Sequence, residues 1–223
     1  EALVRWKHPK RGMISPAEFI PVFEKNGNIC KLDLYVFEEV CKILNKWKEI
    51  GKNIVPVSVN LSRVHFRNLN FLRDFADIKN KYKIPDGYLE LEITESVFFN
   101  EEQRLLVKNA VDKMHTYGIL CSLDDFGVGY SSLGLLKEFN VDTIKLDRQF
   151  FINIESSKTQ NVIESFIGLA EKLGIGVVAE GIGTTEQLDF LRRVKCSMVQ
   201  GYIFSKPLAA EDFENWCQKH KNP

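Results

Sequence analysis

Tyr88-Leu89-Glu90-Leu91-Glu92-Ile93-Thr94 reads as a strand, and Ile119-Leu120-Cys121-Ser122-Leu123-Asp124 reads as another. Both are short apolar runs rich in Leu and Ile and bounded by Gly, Pro and Asp. Residues 100–117 between them have helical periodicity. Asn100 is placed to cap that helix, Glu101 and Glu102 fall on its first turn, and Gly118 stops it. A strand, a helical crossover and a second strand make a parallel pair with the helix outside. The same unit recurs on both sides. Upstream, residues 54–61 read as a strand. Before them, residues 32–50 carry an apolar stripe at Leu34, Val36, Phe37, Val40, Cys41, Leu44 and Trp47 that ends at Gly51. Downstream, strands are read at 143–147 and 176–180, with a weaker one at 197–204. Helices are read at 159–173, closed by Gly174, and from Thr184/Thr185 to about Val194.

These units specify an α/β fold with a parallel sheet. Residues 1–6 look like the tail of one further strand. A (β/α)8 TIM-like barrel needs eight strands and typically ~250 residues. The chain has 223, so its expected fold is such a barrel lacking its first strand. The expected organisation is a single domain over residues 1–223, an N-terminally truncated fragment of a larger protein. An open doubly wound sheet is disfavoured because no Gly-rich phosphate loop follows the first strand. No linker, low-complexity tract or internal repeat interrupts the pattern.

Composition narrows the class. Hydrophobic residues make up 44 % and charged residues 27 %, which excludes a disordered chain, a collagen and a coiled coil. Thirty basic and thirty acidic residues give zero formal charge. A polymeric nucleic acid is therefore not an expected partner. No stretch approaches the ~18 apolar residues of a membrane span, so this domain itself is expected to make no membrane contact. Residues 1–6 do not resemble a signal peptide. The five cysteines form no CxxC pair, and they read as reduced, mostly buried thiols of a cytoplasmic protein. His8, His65, His115 and His220 show no ligand spacing and read as structural or solvated. Lys79, Lys81 and Lys83 read as solvated residues in a loop.

In a parallel barrel, chemistry gathers at the carboxyl ends of the strands. Those ends supply Glu1, Asn60, Glu92, Asp124 with Asp125, Lys145 with Asp147, Glu180 and Gln200. Polar residues end many strands simply because loops begin there. Glu92, Lys145 and Glu180, however, stand within apolar runs, where charges are rarely buried unless paired or bound to metal. Carboxylates plus an amide oxygen form a hard, oxygen-only set suited to Mg2+ or Mn2+. Their number exceeds the need of one Mg2+ and suits two ions about 3.5–4 Å apart. Asp124 and Asp125 are adjacent and would face opposite sides of a regular strand. Both reach one mouth only if the strand breaks there, as Gly127 and Gly129 permit.

The same residues carry a resemblance. Glu1-Ala2-Leu3-Val4-Arg5-Trp6 is similar to the signature of the EAL family of bacterial cyclic di-GMP phosphodiesterases. Asn60-Leu61-Ser62, Glu92-Ile93-Thr94-Glu95-Ser96 and the block from Asp124-Asp125-Phe126-Gly127 to Leu133 follow in the family's order. So do Lys145-Leu146-Asp147, Ala179-Glu180-Gly181, Gln200-Gly201-Tyr202 and Lys206-Pro207. The resemblance covers essentially the whole chain. It implies a metal-dependent hydrolase that opens cyclic di-GMP to linear pGpG by a two-metal mechanism. The implied metal ligands are Glu1, Asn60, Glu92, Asp124, Asp125 and Glu180, holding two Mg2+ or Mn2+ ions. Lys145, Glu180 and Gln200 are implied to act on the attacking water, and Arg5 to contact a substrate phosphate. Glu95 is implied to anchor the loop after the Asp pair. Asp147 reads as a structural partner of Lys145.

The resemblance further implies a homodimer in the bacterial cytoplasm. It also implies an upstream sensory or GGDEF domain in the full-length protein, which can be membrane-anchored. Two positions depart from the family. Gly183 stands where a second glutamate usually follows Glu180, and Val128 where Thr or a small residue is usual. The loss at Gly183 motivates the alternative, a weak or inactive cyclic di-GMP receptor. A glycosidase needs two separated carboxylates and an aldolase a desolvated lysine away from acids, so neither fits.

Overall fold

A computed structural model of the chain describes residues 1–68, 70–98, 101–127 and 133–220. They form two compact units, residues 1–145 and 146–223. The boundary cuts a strand between Lys145 and Leu146.

The first unit opens with a two-stranded antiparallel hairpin, β1 (Trp6–His8) and β2 (Gly12–Ile14). Helices α1 (Pro16–Asn26) and α2 (Ile29–Glu49) follow. Ser15 and Glu18 form a capping box that starts α1, and Gly27 ends it in a left-handed conformation. The main sheet then begins with β3 (Val57–Asn60), α3 (Leu72–Lys81), β4 (Leu89–Thr94), α4 (Glu101–Thr116), β5 (Leu120–Phe126), α5 (Leu133–Glu138) and β6 (Thr143–Leu146). Strands β3, β4 and β5 pair in parallel, and β6 stands beside β5. The second unit takes over at Leu146 and adds α6 (Ser157–Leu173), β7 (Gly176–Ala179), α7 (Thr185–Arg193), β8 (Met198–Val199) and α8 (Ala210–Lys219). Strands β7 and β8 are parallel.

The expected strand–helix alternation is present, with two revisions. Of residues 1–6, Ala2 is the one whose backbone pairs with the main sheet, in an isolated parallel bridge to Val59. Its N–H donates to the Ser58 carbonyl at 2.8 Å. Trp6 instead turns into the hairpin, where its ring packs on Phe19 at 5.5 Å and Phe23 at 6.0 Å. Strand β3 is also shorter than residues 54–61. Pro56 has no N–H to give to a ladder, and pairing begins at Val57.

Burial on β4 explains how the site is held. Leu89, Leu91 and Ile93 are fully buried on one face. Helix α2, which packs against β3 and α3, adds Phe37, Cys41 and Leu44, likewise inaccessible. The Phe37 and Phe75 rings meet edge to face at 4.9 Å. The other face of β4 carries Glu90, Glu92 and Thr94. Register places Asn60, Glu92 and Ser122 side by side, and Asp124 beside Thr94.

Lys79 is not solvated. It lies on α3, is almost wholly buried, and its ammonium meets the exposed Asp86 carboxylate at 2.6 Å. Lys81 is exposed on the same helix and pairs with Glu38 at 2.6 Å. The cysteines are free thiols, but only Cys41 and Cys121 are buried, fewer than their reading implied. The histidine reading holds at two sites. His115 Nε2 lies 2.8 Å from Asp142, and His65 is buried against Asp33. Asn100, Val128 and Gly129 lie outside the described residues.

Candidate active site

Three carboxylates of the first unit converge on one ammonium. Lys145, on β6 and buried, places Nζ 2.7 Å from Glu92 Oε1, 3.4 Å from Asp124 Oδ1 and 3.6 Å from Glu1 Oε2. Asn60 Nδ2 donates to Glu1 Oε1 at 3.1 Å. Glu1, Asn60, Glu92, Asp124 and Lys145 thus form one cluster, as their positions on successive strands predict. Three carboxylates share one ammonium in a site that excludes most water. Burial, opposed by Lys145 and reinforced by Glu1, pushes the Glu92 carboxyl up to about 7. Asp124 Oδ1 is buried, and among the described residues it has no hydrogen bond beyond its ion pair with Lys145.

Asp125 follows Asp124 without a regular strand's alternation. Its φ is +54°, a left-handed conformation that Asp tolerates better than most residues. The strand continues through Phe126 and breaks at Gly127, where φ is +96°. The expected break is therefore present, but it starts at Asp125 itself, which is exposed. Glu95 is buried at the start of a 3₁₀ turn, Glu95–Phe98. The loop it was read to anchor includes residues 128–132, outside the described ones.

Beside the cluster lies a cavity of about 510 Å³ whose wall includes Arg5, Asn60, Ser62, Arg63 and Asp33. Arg5 is exposed, and its guanidinium donates to the adjacent Val4 carbonyl at 2.9 Å. The cavity also exposes residues that sequence spacing did not single out. Asp33 of α2 accepts from the Ser62 N–H at 2.9 Å, and the Ser62 hydroxyl donates to Glu24 of α1 at 3.1 Å. The contact partners are 29 and 38 residues apart, so no local pattern links them.

In the second unit, Glu180 and Gln200 follow β7 and β8. The Glu180 N–H donates to the Leu146 carbonyl at 3.0 Å, and the Gln200 N–H to Ala179 at 2.8 Å. Both therefore sit at the carboxyl ends of their strands, as read. Asp147 caps the following 3₁₀ turn through the Gln149 N–H at 2.8 Å, a local structural role.

The EAL domain family profile matches residues 1–207. The chain belongs to the EAL domain family. It is 34 % identical over 223 residues to the cyclic di-GMP phosphodiesterase NbdA of Pseudomonas aeruginosa, covering 99 % of this chain and 28 % of that protein. It is 35 % identical over 221 residues to the cyclic di-GMP phosphodiesterase PA2567 of the same organism, covering 98 % and 37 %. The chain thus spans between a quarter and two fifths of these relatives' length. Among solved structures, the PaMucR phosphodiesterase in its c-di-GMP complex superposes with a TM-score of 0.83 at 30 % identity, covering 95 % of this chain and 85 % of that one. The α/β architecture is accordingly that of the EAL barrel-like fold.

The donor chemistry of the EAL cluster fits a hard divalent cation. All its ligating atoms are oxygens. One ammonium faces three acids, and burial, reinforced by the Glu1 charge, makes Glu92 hold a proton more tightly. Among the described residues no three His, Cys, Asp or Glu side chains are already grouped as a cage. The carboxylates are instead drawn in around Lys145.

Proposed function

We propose that this chain hydrolyses one phosphodiester bond of cyclic di-GMP to give linear pGpG. The observation that carries the reading is the cluster of Glu1, Asn60, Glu92 and Asp124 around Lys145, beside a cavity bearing Arg5. The family match and the activity named for similar relatives support it.

Two Mg2+ or Mn2+ ions would be held by Glu1, Asn60, Glu92 and Asp124, with Asp125 and Glu180 added by the family resemblance. Bound there, they supply Lewis acidity that lowers the pKa of water and neutralises charge on phosphoryl oxygens. Lys145 contributes a fixed positive charge that orients the attacking water and opposes charge built up during displacement. Gln200 is assigned to the water by resemblance, with Glu180 as base. Arg5 is free to swing from the Val4 carbonyl and pair with a substrate phosphate, for which a guanidinium is well matched. Glu95, buried at the start of its 3₁₀ turn, is assigned by the resemblance to hold the loop after the Asp pair.

The chain is proposed to be one domain of a longer bacterial signalling protein, because it spans only part of its relatives. Gly183 favours a second reading as a receptor that binds without turnover. The purified chain incubated with cyclic di-GMP and Mn2+ or Mg2+, with products separated by chromatography, decides between them. Metal-dependent appearance of pGpG is the expected result. Saturable binding with no product establishes the receptor, and neither binding nor product overturns both readings.

A further inference from the structure

We propose that His65 is a positioning residue for substrate binding, acting through Asp33 and not by touching substrate. The proposal rests on the cyclic di-GMP reading above. His65 lies in the 3₁₀ turn Arg63–Arg67 that follows β3, and it is 3 % exposed. Its Nε2 is 3.1 Å from Asp33 Oδ2. An ionised carboxylate can only accept, so Nε2 carries the proton and donates. The ring is wedged between Phe71 at 5.2 Å and Phe75 at 5.4 Å. These contacts pack the imidazole into the apolar interior.

Asp33 is therefore fixed from one side. Both donors, Ser62 N–H and His65 Nε2, fall on Oδ2. The residue lines the 510 Å³ cavity, and its Oδ1 is the oxygen left for a ligand there. A guanine edge presents N–H donors that such a carboxylate can accept. The same latch ties α2 to the loop that immediately follows Asn60, so one buried imidazole holds both the cavity wall and the strand end of the candidate centre. A carboxylate lacking its buried donor is free to rotate away, and it then recognises N–H groups less well.

The test compares His65→Phe, which keeps the ring and removes the donor, with His65→Gln, whose amide can donate to the same carboxylate. Steady-state hydrolysis of cyclic di-GMP in Mn2+ and thermal melting are measured for each. His65→Phe is expected to raise KM about fivefold or more and to leave kcat within about twofold. His65→Gln is expected to restore KM. In an Asp33→Ala background, His65→Phe is expected to add nothing further. Should His65→Phe not fold, His65→Met is read by the same criteria. An unmoved KM in a folded donor-free variant overturns the proposal, as does an undiminished effect in the Asp33→Ala background. A parallel fall in melting temperature and kcat, with KM unchanged, marks a merely structural histidine and overturns it as well. Wild-type protein that neither binds nor hydrolyses cyclic di-GMP removes the underlying reading, and the role of His65 with it, a result distinct from active wild type with an indifferent variant.

Discussion

Lys145 is surrounded by acids on three sides, and that setting separates its two conceivable roles. A lysine that bound substrate would face an open cavity, whereas this ammonium is buried against Glu92, Asp124 and Glu1. Lys145→Ala is therefore expected to lower kcat by at least about 100-fold, the scale of losing one preorganised charge at a reacting centre, with KM changed only a few-fold. Steady-state kinetics check this, and a loss confined to KM reassigns the residue to ligand binding. Asp124→Asn keeps volume and removes one charge. It is expected to cut hydrolysis by about 100-fold or more and to leave the melting temperature within a few degrees of wild type. Unchanged turnover removes Asp124 from the ligand set. At this scale the site was legible because Glu92 and Lys145 are charges set in apolar runs, an arrangement that burial alone does not tolerate. Asp33 and His65 were not, because their pairing depends on a loop closing onto a helix 32 residues earlier.

At the scale of elements, strands β4 to β7 were readable because each is a compact apolar run between breakers. Helices α1, α3, α5 and α8 were not. Pro16 and Pro21 disguise α1 as loop, although Ser15 and Glu18 already spelled its capping box. Helix α5 has only six residues, too few for a period to show. Helix α3 is mostly polar, and this is what hid Lys79. Its buried ammonium and the exposed Asp86 make an unequal pair. Asp86→Ala is expected to destabilise by about 3 kcal/mol, because it strands a buried charge, whereas Lys79→Met is expected to cost less than about 1 kcal/mol. Urea unfolding of both variants checks the asymmetry, and equal losses refute it. The turn before β5 reinforces the point. Gly118 has φ +66°, and a Cβ there would collide with the Asp86 side chain, so only glycine leaves Asp86 in place.

The loop after β7 carries the departure from the family at Gly183. Its φ is not in the left-handed region, and nothing lies within 4 Å of an added Cβ. The strain that would have penalised a side chain is thus absent. Its N–H donates to Gln187 Oε1 at 3.0 Å as part of the start of α7, a bond that a backbone retains under substitution. Gly183→Glu is therefore expected to fold normally and, by adding an oxygen acceptor near Glu180 in sequence, to raise turnover at limiting Mg2+ or Mn2+. At saturating metal the difference is expected to shrink. Turnover against metal concentration for both forms is the measurement, and superimposable curves mean that position 183 does not tune the metal.

For the molecule as a whole, the proposed cation binding by the acid cluster would be linked to stability. A cation that binds the folded state alone stabilises it by RT ln(1 + [L]/Kd), about 2.7 kcal/mol at 100 times Kd. A chain of this size gains roughly 2–4 °C in melting temperature per kcal/mol. Saturating Mn2+ or Mg2+ is therefore expected to raise the melting temperature by about 5–10 °C, and EDTA to reverse the shift. The sign follows from the structure. Folding gathers Glu1, Glu92 and Asp124 around one ammonium, while the unfolded chain scatters them, so the proposed cation site would exist only in the fold. Ca2+ separates binding from chemistry. Its oxygen-seeking charge suits the same carboxylates, but its larger and more flexible coordination sphere orients water poorly. It is expected to raise the melting temperature while supporting little hydrolysis. Asp124→Asn is expected to shrink the shift for all three ions together, since it withdraws one shared ligand. A melting temperature indifferent to every divalent ion, in protein that still turns over cyclic di-GMP, means that the catalytic cations are not held by this cluster. Strong turnover in Ca2+ means that water placement does not depend on the tighter octahedral geometry of Mg2+ or Mn2+.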